Sequence, residues 1–384
     1  MRKPQGLVRI LTATAIAFAL CIGAVSALAQ STLQFTEWAV PSASNCSFGL
    51  AAAFADVIYF TDAPCSSTPR IGMLNTRTNT VREWTGAALG SPQGVVALGP
   101  LVVFADQNIG TMNMLNVLTN QLTTWTLPTL GSGPLRVAEG GIEIYFTEQA
   151  GRVGRLNLLT NRITEWTVPG GPHTPLSIAA SPIGNRIWFS QASGAQLGAL
   201  DLLDNTFSQW TIPSTTLATP FVQGVAASED RLFFGDSYDN GAVGELDPTT
   251  NVLALWTTPV LSGPNQLVVE ELGESRFEVD FTDGPGNKIW RLLTALQPGT
   301  SSTIPVTTTA VTPTVTLVTP TTSTLVGTST VVRPTVTNVA GVITGGFEQW
   351  LVPTVASNDY AIAKLPGGGV AFTEATGNKI GTLR

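Results

Sequence analysis

Six acidic side chains end six copies of one short apolar segment, and their recurrence makes them the first candidates for chemistry. The segments read YFTD, VFAD, YFTE, FFGD, DFTD and AFTE, and their final acids are Asp62, Asp106, Glu148, Asp236, Asp283 and Glu374. Carboxylates that converge on one mouth could bind a polyol or a cation such as Mg²⁺ or Ca²⁺. An acid at a strand end followed by Gly or Asn is also ordinary turn chemistry, so both interpretations stay open here.

The single histidine, His173, is the other candidate for catalysis. It stands in the loop segment Gly-Pro-His-Thr-Pro, where it is either a general base or an ordinary loop side chain. One histidine excludes a His-centred metal site. The chain also lacks a Gly-x-Ser-x-Gly elbow, a Cys-x-x-Cys pair and a phosphate loop.

The elements that must position these residues form a repeat. Seven tryptophans share one context, and successive copies are 46, 41, 41, 44, 46 and 94 residues apart: Trp38, Trp84, Trp125, Trp166, Trp210, Trp256 and Trp350. A period in the low forties with four short strands per unit is typical of a β-propeller, in which each unit is one blade. We label the strands of a blade a to d from the central channel outward, and each tryptophan ends a strand d.

The two ends of the chain predict how the ring closes. The sequence finishes on a strand c at residues 379–384, while residues 33–41 read as a strand d with no blade before them. Strand d from the N-terminus therefore completes the last blade. The predicted fold is an all-β, seven-bladed propeller over residues 30–384, closed by its N-terminal strand.

The 94-residue gap predicts an insert between strands c and d of blade six. Residues 297–345 are rich in Thr, Pro and Val, and they contain no acid and one base, Arg333. Such composition favours a disordered or extended spacer, often O-glycosylated in secreted proteins. An ordered β-hairpin is the alternative, since Thr314 to Val318 alternates. We expect the insert to hang from the rim of blade six with few core contacts.

The N-terminus predicts export. Arg2, Lys3 and Arg9 precede an apolar run that ends in Ala-Leu-Ala, so residues 1–29 read as a signal peptide; an uncleaved membrane anchor is the alternative. Removal of the three bases lowers the net charge from −7 to −10. We expect a secreted or surface-displayed protein with no membrane span after cleavage and no nucleic-acid partner, because an acidic surface repels phosphate.

Two cysteines remain after cleavage, Cys46 and Cys65. Both would lie at the same end of the first hairpin of blade one, and an oxidising compartment makes them candidates for a disulfide. A metal site at this pair is excluded, since further ligands are missing.

The blade consensus resembles the streptogramin B (virginiamycin B) lyase family. The likeness rests on segments such as YFTEQAGRVGRL, AFTEATGNKIGTL and NRITEWTVP, and it covers the mature chain apart from the insert. The resemblance implies a seven-bladed propeller, closed by its N-terminal strand, that opens a cyclic depsipeptide lactone by elimination with help from Mg²⁺.

The catalytic residues that the resemblance implies are largely absent. The positions of the two family histidines fall on Asn265 and Tyr360, and a substrate-contacting tyrosine falls on Phe48. Glu374 matches a family acid, but Asn358 replaces a glutamate near the last histidine. Loss of a general base typically costs ~10²–10⁴ in rate. We therefore expect this chain to keep the propeller fold of the family but to lack its lyase site.

The sequence therefore favours a propeller that binds a small molecule, a glycan or a protein at its channel mouth. The ligand-binding candidates are Asp62, Asp106, Glu148, Asp236, Asp283, Asn265 and Tyr360, and the catalytic candidates are Glu374 and His173. One alternative is a lactone-opening enzyme that uses carboxylates and a cation. Another is a structural or adhesive module that displays the insert.

Overall fold

The described part of the chain contains β-strands and no helix. The computed structural model describes residues 32–42, 47–54, 56–63, 68–171, 174–182, 185–191, 195–212, 221–237, 241–259, 262–273, 275–294, 298, 300–344, 346–355 and 357–384. The predicted signal peptide, both cysteines and His173 lie outside these ranges, so the export, disulfide and His173 predictions stay predictions. Within the described residues, no helix is long and apolar enough to cross a membrane.

The strands form seven antiparallel sheets, which confirms the seven-bladed propeller. The first strand of the chain, β1 (Thr32–Ala39), belongs to the last blade. Blades one to five then follow in chain order with strands a to d, which are: β2 (Ser47–Ala52), β3 (Val57–Asp62), β4 (Arg70–Asn75) and β5 (Thr80–Thr85); β6 (Pro92–Leu98), β7 (Leu101–Asp106), β8 (Thr111–Asn116) and β9 (Gln121–Thr126); β10 (Pro134–Gly140), β11 (Glu143–Glu148), β12 (Arg152–Asn157) and β13 (Arg162–Thr167); β14 (Pro175–Ala180), β15 (Arg186–Gln191), β16 (Gln196–Asp201) and β17 (Thr206–Thr211); β18 (Val222–Ala227), β19 (Leu232–Asp236), β20 (Ala242–Asp247) and β21 (Val252–Thr257).

Blades six and seven are each completed by a strand distant in sequence. Blade six has β22 (Pro264–Gly273), β23 (Arg276–Asp283) and β24 (Lys288–Leu293). Seven short strands of the insert come next: β25 (Thr300–Thr303), β26 (Val306–Ala310), β27 (Thr314–Leu317), β28 (Thr321–Thr324), β29 (Val326–Val331), β30 (Thr335–Ala340) and β31 (Val342–Thr344). Strand d of blade six is β32 (Phe347–Leu351), and blade seven has β33 (Asp359–Lys364), β34 (Val370–Glu374) and β35 (Lys379–Leu383).

The ring closes as predicted. Strand β1 pairs antiparallel with β35, with Trp38 opposite Ile380. The backbone of Gln34 also exchanges hydrogen bonds with Arg384. The N-terminal strand is therefore strand d of blade seven, and no edge of that blade is left unpaired at the join.

The recurring b-strand motif has a packing explanation. In five blades the aromatic residue of strand b lies over a glycine of strand c, where an added Cβ would overlap the ring; for Gly154 it would come within 2.1 Å of Phe146. Blade six instead places Trp290 parallel to Phe281, with ring centroids 6.0 Å apart. Seven apolar clusters then fill the seven interfaces between neighbouring blades.

The insert forms a belt around the whole propeller, which corrects our expectation for it. Its seven strands pair, one each, with the strand d of blades five, four, three, two, one, seven and six, in that order. Every blade thus becomes a five-stranded sheet. The segment, which we call the belt (residues 300–344), leaves blade six after β24 as predicted. It does not hang from the rim of that blade, and it is not a disordered spacer or a single hairpin.

A seven-residue apolar repeat places the belt on the blades. Six apolar residues recur at this interval and contact the interface clusters: Ile304, Val311, Val318, Leu325, Val332 and Val339. Seven extended residues span roughly 23–25 Å, so one repeat carries the chain from one blade to the next. Ile304 and Leu325 are each only 2% exposed.

Candidate channel-mouth site

The six predicted acids are buried at the ends of their b strands, in six of the seven blades, and each is at most 1% exposed. Asp106 accepts hydrogen bonds from the backbone N–H groups of Gly90 and Ser91, both at 2.8 Å. Burial raises the pKa of the Asp106 carboxyl, and these backbone donors oppose the rise. The acid therefore holds the loop that leads into strand a of its own blade.

Asp283 and Asp236 hold the equivalent loops of their own blades, whereas Asp62 pairs with an arginine of strand c. Asp283 accepts from the backbone of Gly263 at 2.9 Å and from the indole of Trp290 at 3.0 Å. Asp236 accepts from the backbone of Phe221 at 2.7 Å, and Asp62 pairs with Arg70 at 3.3 Å. Asp283 also accepts from the backbone of Gly286 at 3.0 Å, in the turn after its strand, and this contact is the turn chemistry that the sequence offered as one interpretation. Ligand binding by these acids stays a prediction.

Glu148 differs from the aspartates. Within the described residues neither of its buried carboxylate oxygens has a hydrogen bond of ordinary geometry, although the Ser132 hydroxyl lies close enough to lower the pKa of the carboxyl slightly. Burial raises the pKa of Glu148 to about 7, and the negative charge of Glu165 adds to the rise. The carboxyl is therefore poised to change charge near neutral pH, although it has no exposed surface. Glu374, at the same position in blade seven, is 1% exposed.

A magnesium site does not follow from the described residues. None of their His, Cys, Asp and Glu side chains form a group of three or more that could hold a metal ion. The acids end separate strands in separate blades. We therefore derive no chemical step through a cation.

The channel itself is lined by the starts of the seven a strands, and each start contains a β-bulge. In blade three the register with strand b shifts between Pro134 and Val137, and in blade seven between Asp359 and Ile362. The same irregularity occurs in the other five blades. A bulge bends its strand and re-aims the side chains within it, so the bulge residues determine what faces the channel.

The hydroxyl of strand b fixes this bulge and joins neighbouring blades. Thr147 accepts from the N–H of Arg136 at 3.2 Å and donates to the carbonyl of Leu176 in the next blade at 3.2 Å. Thr282 likewise donates to the carbonyl of Tyr360 at 3.1 Å. The third residue of the YFT(D/E) motif is thus a bridge between blades.

One bulge side chain reaches a distant blade. Arg136 of blade three donates from Nη2 to the hydroxyl of Tyr360 in blade seven at 2.8 Å. Its guanidinium carbon also lies 5.2 Å from the centroid of the Tyr360 ring, which is a cation–π distance. The structure therefore brings Tyr360, one of the predicted site residues, together with a cation.

Small neighbours give Arg136 its position. A cavity of about 80 Å³ is lined by residues from six blades, and Arg136 is the only ionisable side chain among them. A Cβ on Gly94 would come within 2.7 Å of the Arg136 Cα, so only glycine permits this approach of the two inner strands. Asn265, the other carried-over position, is buried in the adjoining bulge of blade six.

Sequence reasoning missed Arg136, although a signal for it exists. Aligned on the apolar residue of each a strand, the preceding position holds Gly49, Gly94, Arg136, Ser177, Gly224, Gln266 and Ala361. Arg136 is the only charged member of this set. The side chain of Phe48, a position that the resemblance singled out, lies outside the described residues.

Comparison with solved structures agrees with this architecture. A streptogramin B lyase structure matches with a TM-score of 0.67 and 16% identity, over 92% of this chain and 98% of that one. The chain has the seven-bladed fold of the streptogramin B lyases. A catalytically inactive histidine-to-alanine variant of virginiamycin B lyase from Staphylococcus aureus, with quinupristin, matches equally at 0.67 and 16%, over 91% and 99% of the two chains.

The fold alone is shared at this identity. The Mitotic Checkpoint Complex also contains a chain that matches, with a TM-score of 0.61 and 12% identity over 91% of this chain and 90% of that one. No family model and no curated protein matches the sequence. Propellers of one shape serve unrelated functions, so function must be argued from the site.

Proposed function

We propose that this protein is an exported propeller that binds a ligand at its channel mouth without lyase chemistry. The Arg136–Tyr360 contact carries the proposal. A family base is expected at position 360, and this chain has a phenol there whose hydroxyl is held by a guanidinium. The hydroxyl oxygen accepts a hydrogen bond from Arg136, which fixes the phenol in one position where it can contact a ligand.

The surroundings of this contact support binding. An arginine and an aromatic ring are the side chains most enriched where binding energy concentrates. Both stand on bulges that seven closed blades hold rigid, which is the arrangement that a specific site needs. At about 80 Å³ the cavity is far smaller than the ~300–1,000 Å³ of drug-sized ligand pockets. A ligand would insert one small group and rest its remainder on the mouth.

The experiment is a fragment screen by saturation-transfer NMR on three proteins: wild type, Tyr360→Ala and Phe54→Ala. Phe54 is the matched aromatic control, since it is 63% exposed and lies in the a–b turn at the opposite end of its strand. We expect fragments that bind wild type and Phe54→Ala but lose their signal with Tyr360→Ala. If no bound fragment depends on Tyr360, the mouth is not the binding site.

A lactone-opening enzyme that uses a carboxylate and a cation is the second candidate. Glu148 favours it, because a carboxyl with a pKa of about 7 suits general acid–base chemistry near neutrality. Complete burial of Glu148 places this candidate second. Calorimetric titration with MgCl₂ and CaCl₂ separates the two: micromolar binding that Glu148→Gln abolishes would favour the enzyme.

A further inference from the structure

The guanidinium of Arg136 is a buried cation without a counter-ion in the described part of the chain. Arg136 is 9% exposed, and its described side-chain partners are the hydroxyl and the ring of Tyr360. One of its five N–H donors is used there. A buried charge is costly unless an opposite charge accompanies it.

Two more exposed basic groups, Arg291 and Lys364, whose side chains are 22% and 26% exposed, have the counter-ions that Arg136 lacks. Arg291 lies 2.7 Å from Asp280 and 3.1 Å from Glu278, and Lys364 contacts the same two acids. These two cations carry their counter-ions within the protein. Arg136 instead lines a cavity to which the residues Ser177 and Gln266 also contribute.

We propose that Arg136 binds a carboxylate that enters the channel mouth. This inference rests on the proposed function, because it names the chemical class of the ligand for the same mouth. A guanidinium presents two parallel N–H donors that match the two oxygens of a carboxylate. One monoanion neutralises one guanidinium, whereas a phosphate dianion would leave excess negative charge in an already acidic protein. Gln266 lines the same cavity and is uncharged, so it does not oppose an anion there.

The carboxylate is either free or the end of a larger molecule, and two probes distinguish these sources. Sodium acetate represents the free group. Acetyl-diglycine and its amide form a matched pair that differs only in the terminal carboxylate. Acetate binding alone indicates a small free anion, whereas tighter binding of the acetyl-diglycine acid, with no binding of its amide, indicates a chain end.

The test compares wild type with Arg136→Gln and with Arg162→Gln, an exposed arginine that controls for the loss of one positive charge. Melting curves are recorded at rising acetate and constant ionic strength, and calorimetry follows with the peptide pair. A ligand at 100 times its Kd shifts the unfolding equilibrium by about 100-fold. We expect that shift in wild type and Arg162→Gln, and none in Arg136→Gln.

Several results would overturn the proposal. Equal acetate responses in all three proteins would show an action on the general surface, and no response in wild type would show that the site takes no carboxylate. Should Arg136→Gln not fold, Arg136→Lys decides: it keeps the charge but loses the fork, so acetate must bind at least about tenfold more weakly. If neutral fragments bind at Tyr360 while acetate does not, this inference is wrong and the proposed function stands. If neither a fragment nor acetate binds there, both are wrong.

Discussion

The backbone N–H of Leu325 donates a hydrogen bond to the carbonyl of Asn120 across 2.9 Å. Leu325 belongs to the belt, and Asn120 is the turn residue between strands c and d of blade two. The side-chain oxygen of the same asparagine accepts from the indole of Trp84 in blade one at 2.9 Å. One turn residue thus joins the belt, its own blade and the preceding blade.

This three-way junction recurs in five blades. The turn residues have φ values between 53° and 61°, which asparagine adopts more readily than most residues. These turn residues are Asn79, Asn120, Asn161, Asn205 and Asn251. Their side-chain oxygens accept, in that order, from the indoles of Trp38, Trp84, Trp125, Trp166 and Trp210. Their backbone carbonyls accept, in the same order, from the N–H groups of Val332, Leu325, Val318, Val311 and Ile304 in the belt. Among the described residues Trp350 has no such partner, and its buried indole N–H makes no hydrogen bond with them. The chain ends of blade seven replace the turn there.

Removal of the belt is expected to destabilise the propeller. Replacing residues 297–345 with an Asn-Gly turn exposes the outer edges of the d strands and the apolar surface under Ile304 and Leu325. Those two side chains alone account for roughly 3–6 kcal/mol of burial. A lower melting temperature and faster aggregation should follow.

A permuted belt is the control for composition. It keeps every residue but moves each apolar member of the seven-residue repeat by one position, so that it faces solvent. The melting temperature of this protein should be close to that of the deletion variant and below that of wild type. A melting temperature that is unchanged or higher in the deletion would mean that the belt contributes nothing to stability.

A single belt residue should show the same effect. Leu325→Ala removes a buried side chain and should lower the free energy of unfolding by about 2–5 kcal/mol. Val326→Ala, at a neighbouring residue that is 66% exposed, should change it by less than about 0.5 kcal/mol. Urea titration measures both, and equal effects would show that Leu325 is not packed against blades one and two.

The asparagine junction separates backbone strain from hydrogen bonding. Asn161, at φ 55°, accepts from the Trp125 indole at 2.9 Å. Asn161→Gly adopts the same positive φ without strain but loses the side-chain acceptor, which should lower the free energy of unfolding by about 1 kcal/mol. Asn161→Ala loses the acceptor as well and should lower it by about 1–2 kcal/mol more, because alanine is strained at this φ. Unfolding free energies should therefore fall in the order wild type, Gly, Ala. Ala at or above Gly would contradict the assigned conformation.

Much of this fold was predictable, because short sequence motifs within each blade specify it. The tryptophan spacing and the YFT(D/E) motif repeat in every blade or nearly so, and the N-terminal strand was recognisable by its Glu-Trp pair. The belt was not predicted, since its Thr-rich composition resembles a spacer. Its interval of seven residues from Ile304 to Val339 was readable, but it is meaningful only against seven equally spaced blades.

The candidate site was harder to predict for a different reason. Arg136 and Tyr360 are 224 residues apart, and they meet only because the ring closes and a bulge re-aims each side chain. The strand-end acids were found by their repetition. Their burial depends on residues outside the motif, such as Gly90 and Ser91 around Asp106, which the motif does not encode.

Glu148 predicts how stability changes with pH. Its folded pKa of about 7 lies above the unfolded value near 4.3, so the folded state prefers the neutral acid. The stability contribution is complete below about pH 4.3 and is lost as the pH rises through 7. Each pKa unit corresponds to about 1.4 kcal/mol, which makes the loss about 4 kcal/mol.

Glu148→Gln should remove this dependence. The variant should be more stable than wild type by about 3–4 kcal/mol at pH 8 and nearly equal to it at pH 4. Glu229→Gln, at an exposed acid, serves as the control and should follow wild type at both values. Chemical denaturation at the two pH values gives the numbers. A difference of the same size at pH 4 would show that charge on Glu148 is not the cause.

The most direct test of the central claim, a propeller that binds without lyase chemistry, is a mass-spectrometric assay of streptogramin B ring opening. The purified chain is incubated with quinupristin and MgCl₂, beside an Asn265→His/Tyr360→His variant and an authentic streptogramin B lyase. We predict no opened product from the wild-type chain while the authentic lyase turns over. Product that forms with wild type and disappears with Tyr360→Phe or Glu374→Gln would contradict the account.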